Sequence, residues 1–231
     1  EQSAWFADTF DKLVGNVAHA VLGKDEVIRL ALTCMLTRGH LLLEDAPGTG
    51  NTSLARAIAS TVQGSHQRIQ FTPDLLPSDV TGVTIYDQAS HKFEFHPGPI
   101  FASIVLADEI NRASPKTQSA LLEVMEEGQV TVDGVTHAAP QPFMVIATQN
   151  PIEQAGTYRL PEAQLDRFMI KTSLGYPDEA ATLRILQGGA KVSGDVPGIV
   201  EPDTLLAMQE LSKTVYVNPL ISDYIMRIVD A

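Results

Sequence analysis

A disulfide framework is excluded at the outset, because the 231 residues contain a single cysteine, Cys34. It lies in the apolar run 30–36, where a buried structural thiol is expected. Long apolar runs are missing too. None approaches the roughly 18 residues that a membrane span needs, so no transmembrane segment is expected. Residues 1–10 carry charges where a secretory leader would carry its apolar segment, and no signal peptide is read there. Positive charge is scarce: 16 Lys and Arg stand against 28 Asp and Glu, for a formal net charge of -12. That balance speaks against broad, non-specific nucleic-acid binding, which needs a basic footprint. It favours a soluble, self-repelling surface. A lone thiol fits the cytoplasm.

What is present is enough apolar material for a sizeable core. At 44% hydrophobic, the chain fits one large domain plus part of a second. Residues 1–19 read as a helix, with Trp5, Phe6, Phe10, Leu13, Val14 and Val17 at helical spacing. A second helix is expected from Asp25, a plausible N-cap, to about Thr37. Then Leu41-Leu42-Leu43 reads as a short buried strand that runs into a glycine-rich turn, followed by a helix over 52–62. Strand, glycine turn and helix make the opening βα unit of a nucleotide-binding parallel sheet. Further strands are expected at 67–71, 104–108, 143–148 and 168–172, with helices between them. This alternation predicts an α/β fold, a parallel sheet sandwiched by helices. Two excursions project from it: strands at 82–86 and 92–95, and a hairpin of 129–132 and 135–138 around Asp133-Gly134. Residues 1–176 read as the α/β domain. Residues 177–231 read as the start of a small, truncated helical lid, with helices at 178–187, 202–211 and 219–229.

The glycine-rich turn is Asp45-Ala46-Pro47-Gly48-Thr49-Gly50-Asn51-Thr52-Ser53. Backbone N–H groups of such a loop wrap phosphates, and the following helix points its positive end at them. Thr52 is placed to reach Mg²⁺ through its hydroxyl. The usual pattern ends in Gly-Lys-Ser/Thr, with lysine reaching the β- and γ-phosphates. Here Asn51, short and neutral, stands at the lysine position. Downstream, the apolar run 104–107 delivers Asp108 and Glu109 at a strand's C-terminal end, where ligands bind in parallel sheets. Asp108 suits Mg²⁺ and Glu109 suits a general base for the attacking water. Asn150, in Thr148-Gln149-Asn150, either orients water beside a phosphate or is only a polar strand end. Arg167 either stabilises phosphoryl-transfer charge or makes a surface salt bridge with Asp166 or Glu162.

Four strings together resemble the MoxR family of AAA+ ATPases: Gln70 to Gly82 (QFTPDLLPSDVTG), Leu106 to Lys116 (LADEINRASPK), Ala147 to Ile152 (ATQNPI) and Gly156 to Phe168 (GTYRLPEAQLDRF). The likeness runs from about Val21 to Pro177. It implies a P-loop NTPase that binds ATP or ADP with Mg²⁺. It implies an adenine pocket lined by Val21, Leu22 and Gly23, and Walker B roles for Asp108 and Glu109. Asn150 would be sensor 1, and Arg167 an arginine finger reaching a neighbouring subunit. The two excursions would be the helix-2 insert and the pre-sensor hairpin. Family members usually form hexameric rings, act on client proteins as chaperone-like motors, and often work with partners carrying a von Willebrand factor A domain.

Two departures bear on activity. Asn51 replaces the Walker A lysine, which predicts impaired hydrolysis. The second lid sensor, an arginine, has no match before Ala231. The alternatives are a non-hydrolysing nucleotide-dependent scaffold, the ATPase subunit of a chelatase-like complex, and a DNA-remodelling relative. The acidic balance and the lack of a Lys/Arg cluster in the excursions speak against the last.

Overall fold

In a computed structural model, which describes residues 1–45, 49–151, 156–176, 179–186 and 196–230, the chain begins with α1 (Gln2–Ala18) and α2 (Asp25–Leu36). A βα unit follows, β1 (Leu41–Glu44) and α3 (Asn51–Thr61), then β2 (His66–Gln70) and the short α4 (Pro77–Thr81). The first excursion is β3 (Gly82–Asp87) and β4 (Lys92–Pro97). After β5 (Ile104–Asp108) come a 3-10 turn (Ile110–Arg112) and α5 (Pro115–Glu127). The second excursion is β6 (Gln129–Val132) and β7 (Val135–Ala138), leading to β8 (Met144–Gln149), α6 (Glu162–Leu165) and β9 (Ile170–Thr172). Helices α7 (Glu179–Leu186), α8 (Pro202–Ser212) and α9 (Pro219–Val229) complete the described residues.

Five strands form one parallel sheet in the order β2-β5-β8-β1-β9. Its three inner strands, β5, β8 and β1, are apolar on both sides, as a sheet covered on both faces requires. Successive side chains go to opposite cores. Leu41, Leu43, Ile104, Leu106, Met144 and Ile146 pack with α1, α2 and α3. Leu42, Val105, Ala107, Val145 and Ala147 pack with α5 and the 3-10 turn. All the strand C-termini therefore lie along one edge, which carries Asp45 after β1, Asp108 and Glu109 at the end of β5, and Asn150 after β8.

Both excursions are antiparallel two-stranded sheets. Gly82 is required at the base of the first: its φ is 101°, and a Cβ there would collide with the His96 carbonyl. The two hairpins meet where Phe95 stacks on His137, with ring centroids 3.8 Å apart and planes at 17°.

Three local expectations need correction. Helix α2 starts at Asp25 itself, with Lys24 as N-cap and no side-chain capping bond. Asp25 and Glu26 act instead as first-turn acids facing the positive helix end. The strand expected from Phe168 begins only at Ile170, because Phe168 turns into the second core. The β2 strand ends at Gln70, one residue before the fully buried Phe71.

Helix α8 docks on α2. Leu205 and Met208 enter the first core, Gln209 donates to the Met35 carbonyl (2.7 Å), and Ser212 donates to the Leu36 carbonyl (3.1 Å). These positions fall on one helical face. Every residue of α9, by contrast, is exposed.

Cys34 is fully buried and its thiol is pushed up to about 11, which makes it inert. His40 fills a structural role that the sequence does not advertise. It is buried, its Nδ1 accepts from the Val145 N–H (2.9 Å), and its Nε2 lies 3.1 Å from the Met125 carbonyl. The imidazole must be neutral to accept at Nδ1, so Nε2–H is the donor to Met125. Burial pushes its pKa from 6.5 down to about 4. The folded value lies below the unfolded one, so this contribution to stability is complete above about pH 6.5 and is lost as pH falls towards 4. The loss should reach about 3 kcal/mol. Urea unfolding midpoints measured across that window should fall, with a shallower slope in His40→Gln.

Candidate active site

The C-terminal edge of the sheet carries a cleft of about 360 Å³ between the start of α3 and the ends of β2, β5 and β8. Gly50, at φ 105°, is the N-cap of α3, a backbone geometry that favours glycine. Asn51 is the first residue of the helix. Its Oδ1 is buried and has no hydrogen-bond partner among the described residues. Thr52, the next residue, is exposed and lines the cleft. Ala46, Pro47 and Gly48 lie outside the described residues. Thr49 and Ser53 are half-buried, and neither lines the cleft.

Asp45 anchors the loop's entry. It is buried and accepts hydrogen bonds from Ser173 Oγ (2.8 Å), Leu174 N (2.8 Å) and Gly175 N (2.9 Å). Three donors to one carboxylate tie the end of β1 to the segment after β9. The 21–24 segment reaches the same place, where Lys24 Nζ donates to the Tyr176 carbonyl. Val21 is part of the first core, Leu22 is half-buried, and Gly23 has a left-handed φ of 69°. None of these three lines the cleft.

The acidic pair sits as the spacing requires. Asp108 ends β5, and Glu109 follows in a left-handed conformation, φ 55° and ψ 50°. A non-glycine residue held there stores strain of roughly 1–3 kcal/mol, a feature that clusters at active sites. Thr148 at the end of β8 holds both. Its hydroxyl donates to Asp108 Oδ1 (2.6 Å) and accepts from the Glu109 N–H (2.9 Å). Asp108 Oδ2 pairs with the Arg68 guanidinium. Glu109 Oε2 accepts from Gln70 Nε2 (3.2 Å) and pairs with Arg112 (3.0 Å). Asn150 lines the cleft, and its carbonyl accepts from Asn111 Nδ2 (3.3 Å).

Thus Asp45, Asn51, Thr52, Asp108, Glu109 and Asn150 are brought together. Arg167 is not. It pairs with Glu126 at 2.6 Å and lines a separate depression with Arg38, Gly39 and Asp166. The alternative reading, a salt bridge, holds with Glu126 in place of Asp166 or Glu162, where Met125, Leu165 and Phe168 share one core. That packing presses the 165–168 turn against the C-terminal end of α5.

Sequence reasoning passed over Arg68, Gln70, Thr148 and Arg112 as site residues. Arg68 and Gln70 alternate on β2, and Gln70 is in register with Asp108. The i, i+2 spacing of polar residues was visible, but not the strand they face.

The donor set is chemically selective. Among the described residues, no group of three or more His, Cys, Asp or Glu could hold a metal unaided. One carboxylate and one hydroxyl, Asp108 and Thr52, suit Mg²⁺, a hard cation that keeps waters and shares substrate phosphates. The helix N-terminus and the glycine loop suit those phosphates.

Residues 40–170 match the family described as ATPase family associated with various cellular activities (AAA). The chain is 50% identical over 221 residues to the uncharacterized protein YeaC of Bacillus subtilis, covering 94% of this chain and 69% of that one. It is 42% identical over 223 residues to the chaperone MoxR1 of Mycobacterium tuberculosis, covering 96% of this chain and 59% of that one. Protein MoxR of Methylorubrum extorquens is 33% identical over 176 residues, with 74% of this chain and 51% of that one covered. The chain therefore spans between half and about two thirds of the length of these relatives. A crystallised candidate ATPase from Cytophaga hutchinsonii matches its fold with a TM-score of 0.90 at 40% identity, over 100% of this chain and 71% of that one.

Proposed function

Because the chain belongs to the AAA ATPases, on their MoxR branch, we propose that it is the nucleotide-binding core of a chaperone-like motor. The motor couples ATP binding and hydrolysis to the remodelling or maturation of client proteins, and Asn51 weakens its turnover. The observation that carries this reading is the convergence, at one cleft, of the α3 N-terminus, Thr52, Asp108, Glu109 and Asn150.

In this reading the loop from Asp45 to Ser53 holds the phosphates of ATP or ADP, and Thr52 and Asp108 hold Mg²⁺. Glu109 takes a proton from the attacking water, and Asn150 orients that water. Val21, Leu22 and Gly23 flank the adenine, supported by the Lys24 contact to Tyr176 beside the loop's anchor. Arg167, remote from its own cleft, serves the cleft of a neighbouring copy. The molecule then works as a homo-oligomeric ring, hexameric as in its family, in the cytoplasm, with a von Willebrand factor A domain protein as partner. The two joined hairpins are the client-facing elements, and residues 177–231 contribute to the lid. Among the described residues no helix is long and apolar enough to cross a membrane.

A non-hydrolysing scaffold is the second reading, favoured by the neutral Asn51. It ranks lower because Glu109 is still held in a strained, three-point arrangement by Thr148, Gln70 and Arg112. Such a cost has no use without water activation.

Calorimetric titration tests the shared premise. ATP should bind with Mg²⁺ present and more weakly in chelator. Absence of binding both to this chain and to its Asn51→Lys variant would overturn the nucleotide reading.

A further inference from the structure

The phosphate loop lacks its lysine, yet the cleft does not lack a cation. Arg68 is the one Lys or Arg among the described residues that line it. It comes from β2, which β5 and β8 separate from β1. Its guanidinium reaches the edge by lying along the strand, donating to Gln70 Oε1 (2.6 Å) and pairing with Asp108 Oδ2. The side chain is 47% exposed, so the fork is accessible from the cleft and not locked in the core.

Asp108 thus has two claims on it. Its second oxygen pairs with Arg68. In the nucleotide reading, on which this inference rests, that carboxylate belongs to Mg²⁺, a far stronger local charge. A guanidinium released from Asp108 stays tethered at the cleft's rim, next to Gln70. A planar fork of five donors is well suited to phosphate oxygens. Asn51 meanwhile brings no charge, and its buried Oδ1 is an acceptor, the wrong polarity for a phosphate.

We infer that Arg68 is the phosphate-binding cation of this cleft. It is stored on Asp108 until metal takes the carboxylate, and it supplies from β2 the charge that position 51 does not. Removing it should lower MgATP affinity about fivefold or more in Arg68→Gln. Arg68→Lys keeps the charge and should retain most of the affinity, although it cannot reproduce the fork to both Gln70 and Asp108. A purely structural role would behave oppositely, since lysine would fail along with glutamine.

The experiment is calorimetric MgATP titration of the wild-type chain, Arg68→Gln and Arg68→Lys, with circular dichroism to establish that each is folded. The same series in the Asn51→Lys background serves if wild-type affinity is too weak to read. Weakened binding in Arg68→Gln with rescue in Arg68→Lys supports the assignment. Equal or tighter binding in Arg68→Gln, or loss in both, overturns it and leaves Arg68 as a neutralising or structural partner of Asp108. Failure of every Asn51 and Arg68 form to bind would instead overturn the nucleotide reading itself.

Discussion

Asn51→Lys is expected to tighten MgATP binding at least tenfold, about 1.4 kcal/mol. A lysine at the first position of α3 extends past the loop to the β- and γ-phosphates, which asparagine is too short to reach. The empty protein should gain little. A cation at a helix N-terminus opposes the helix dipole, at a cost of roughly 0.3–1 kcal/mol. Removing the buried Oδ1 of Asn51, unpartnered among the described residues, offsets part of that cost. Thermal unfolding of the free variant should therefore stay within a few degrees of wild type, while calorimetry with MgATP shows the gain. Equal affinities would mean that the loop backbone, Mg²⁺ and the existing side chains suffice, and the scaffold reading would gain ground.

Glu109→Gln in the Asn51→Lys protein, assembled at the full length of its relatives, should slow phosphate release by about 10²–10⁴-fold. MgATP affinity should change little. Glutamine keeps the size of the side chain, the left-handed backbone and the hydrogen bond from the residue-109 N–H to Thr148. It removes only the basic oxygen that Gln70 and Arg112 now hold. Rate and affinity must part company for Glu109 to be the base. A variant that turned over normally would move general-base catalysis elsewhere, and one that lost binding as well would make Glu109 structural. Thr148 suits a positioning role, since one hydroxyl fixes both carboxylate-bearing residues from the neighbouring strand.

Much of this protein follows from local sequence. Alternating faces in strands such as Leu41-Leu42-Leu43 and 104–107 follow from a side-chain period of two, and both cores confirm them. The hairpin around Asp133-Gly134 and the glycine turn before α3 follow from backbone conformations that few other residues adopt as readily. Asp108 and Glu109 were legible because a buried strand must end somewhere, and carboxylates at that end point to chemistry. Tertiary structure alone decided the rest. The register of β2 against β5 sets Gln70 beside Asp108 and lets Arg68 reach across. The shared core of Met125, Leu165 and Phe168 sends Arg167 to Glu126. The seating of α8 on α2 and of His40 between Met125 and Val145 joins residues far apart in the chain. A periodic pattern reports which face of an element is buried. It carries no information about which other element covers that face, because many partners bury apolar area equally well and only the packed whole selects one.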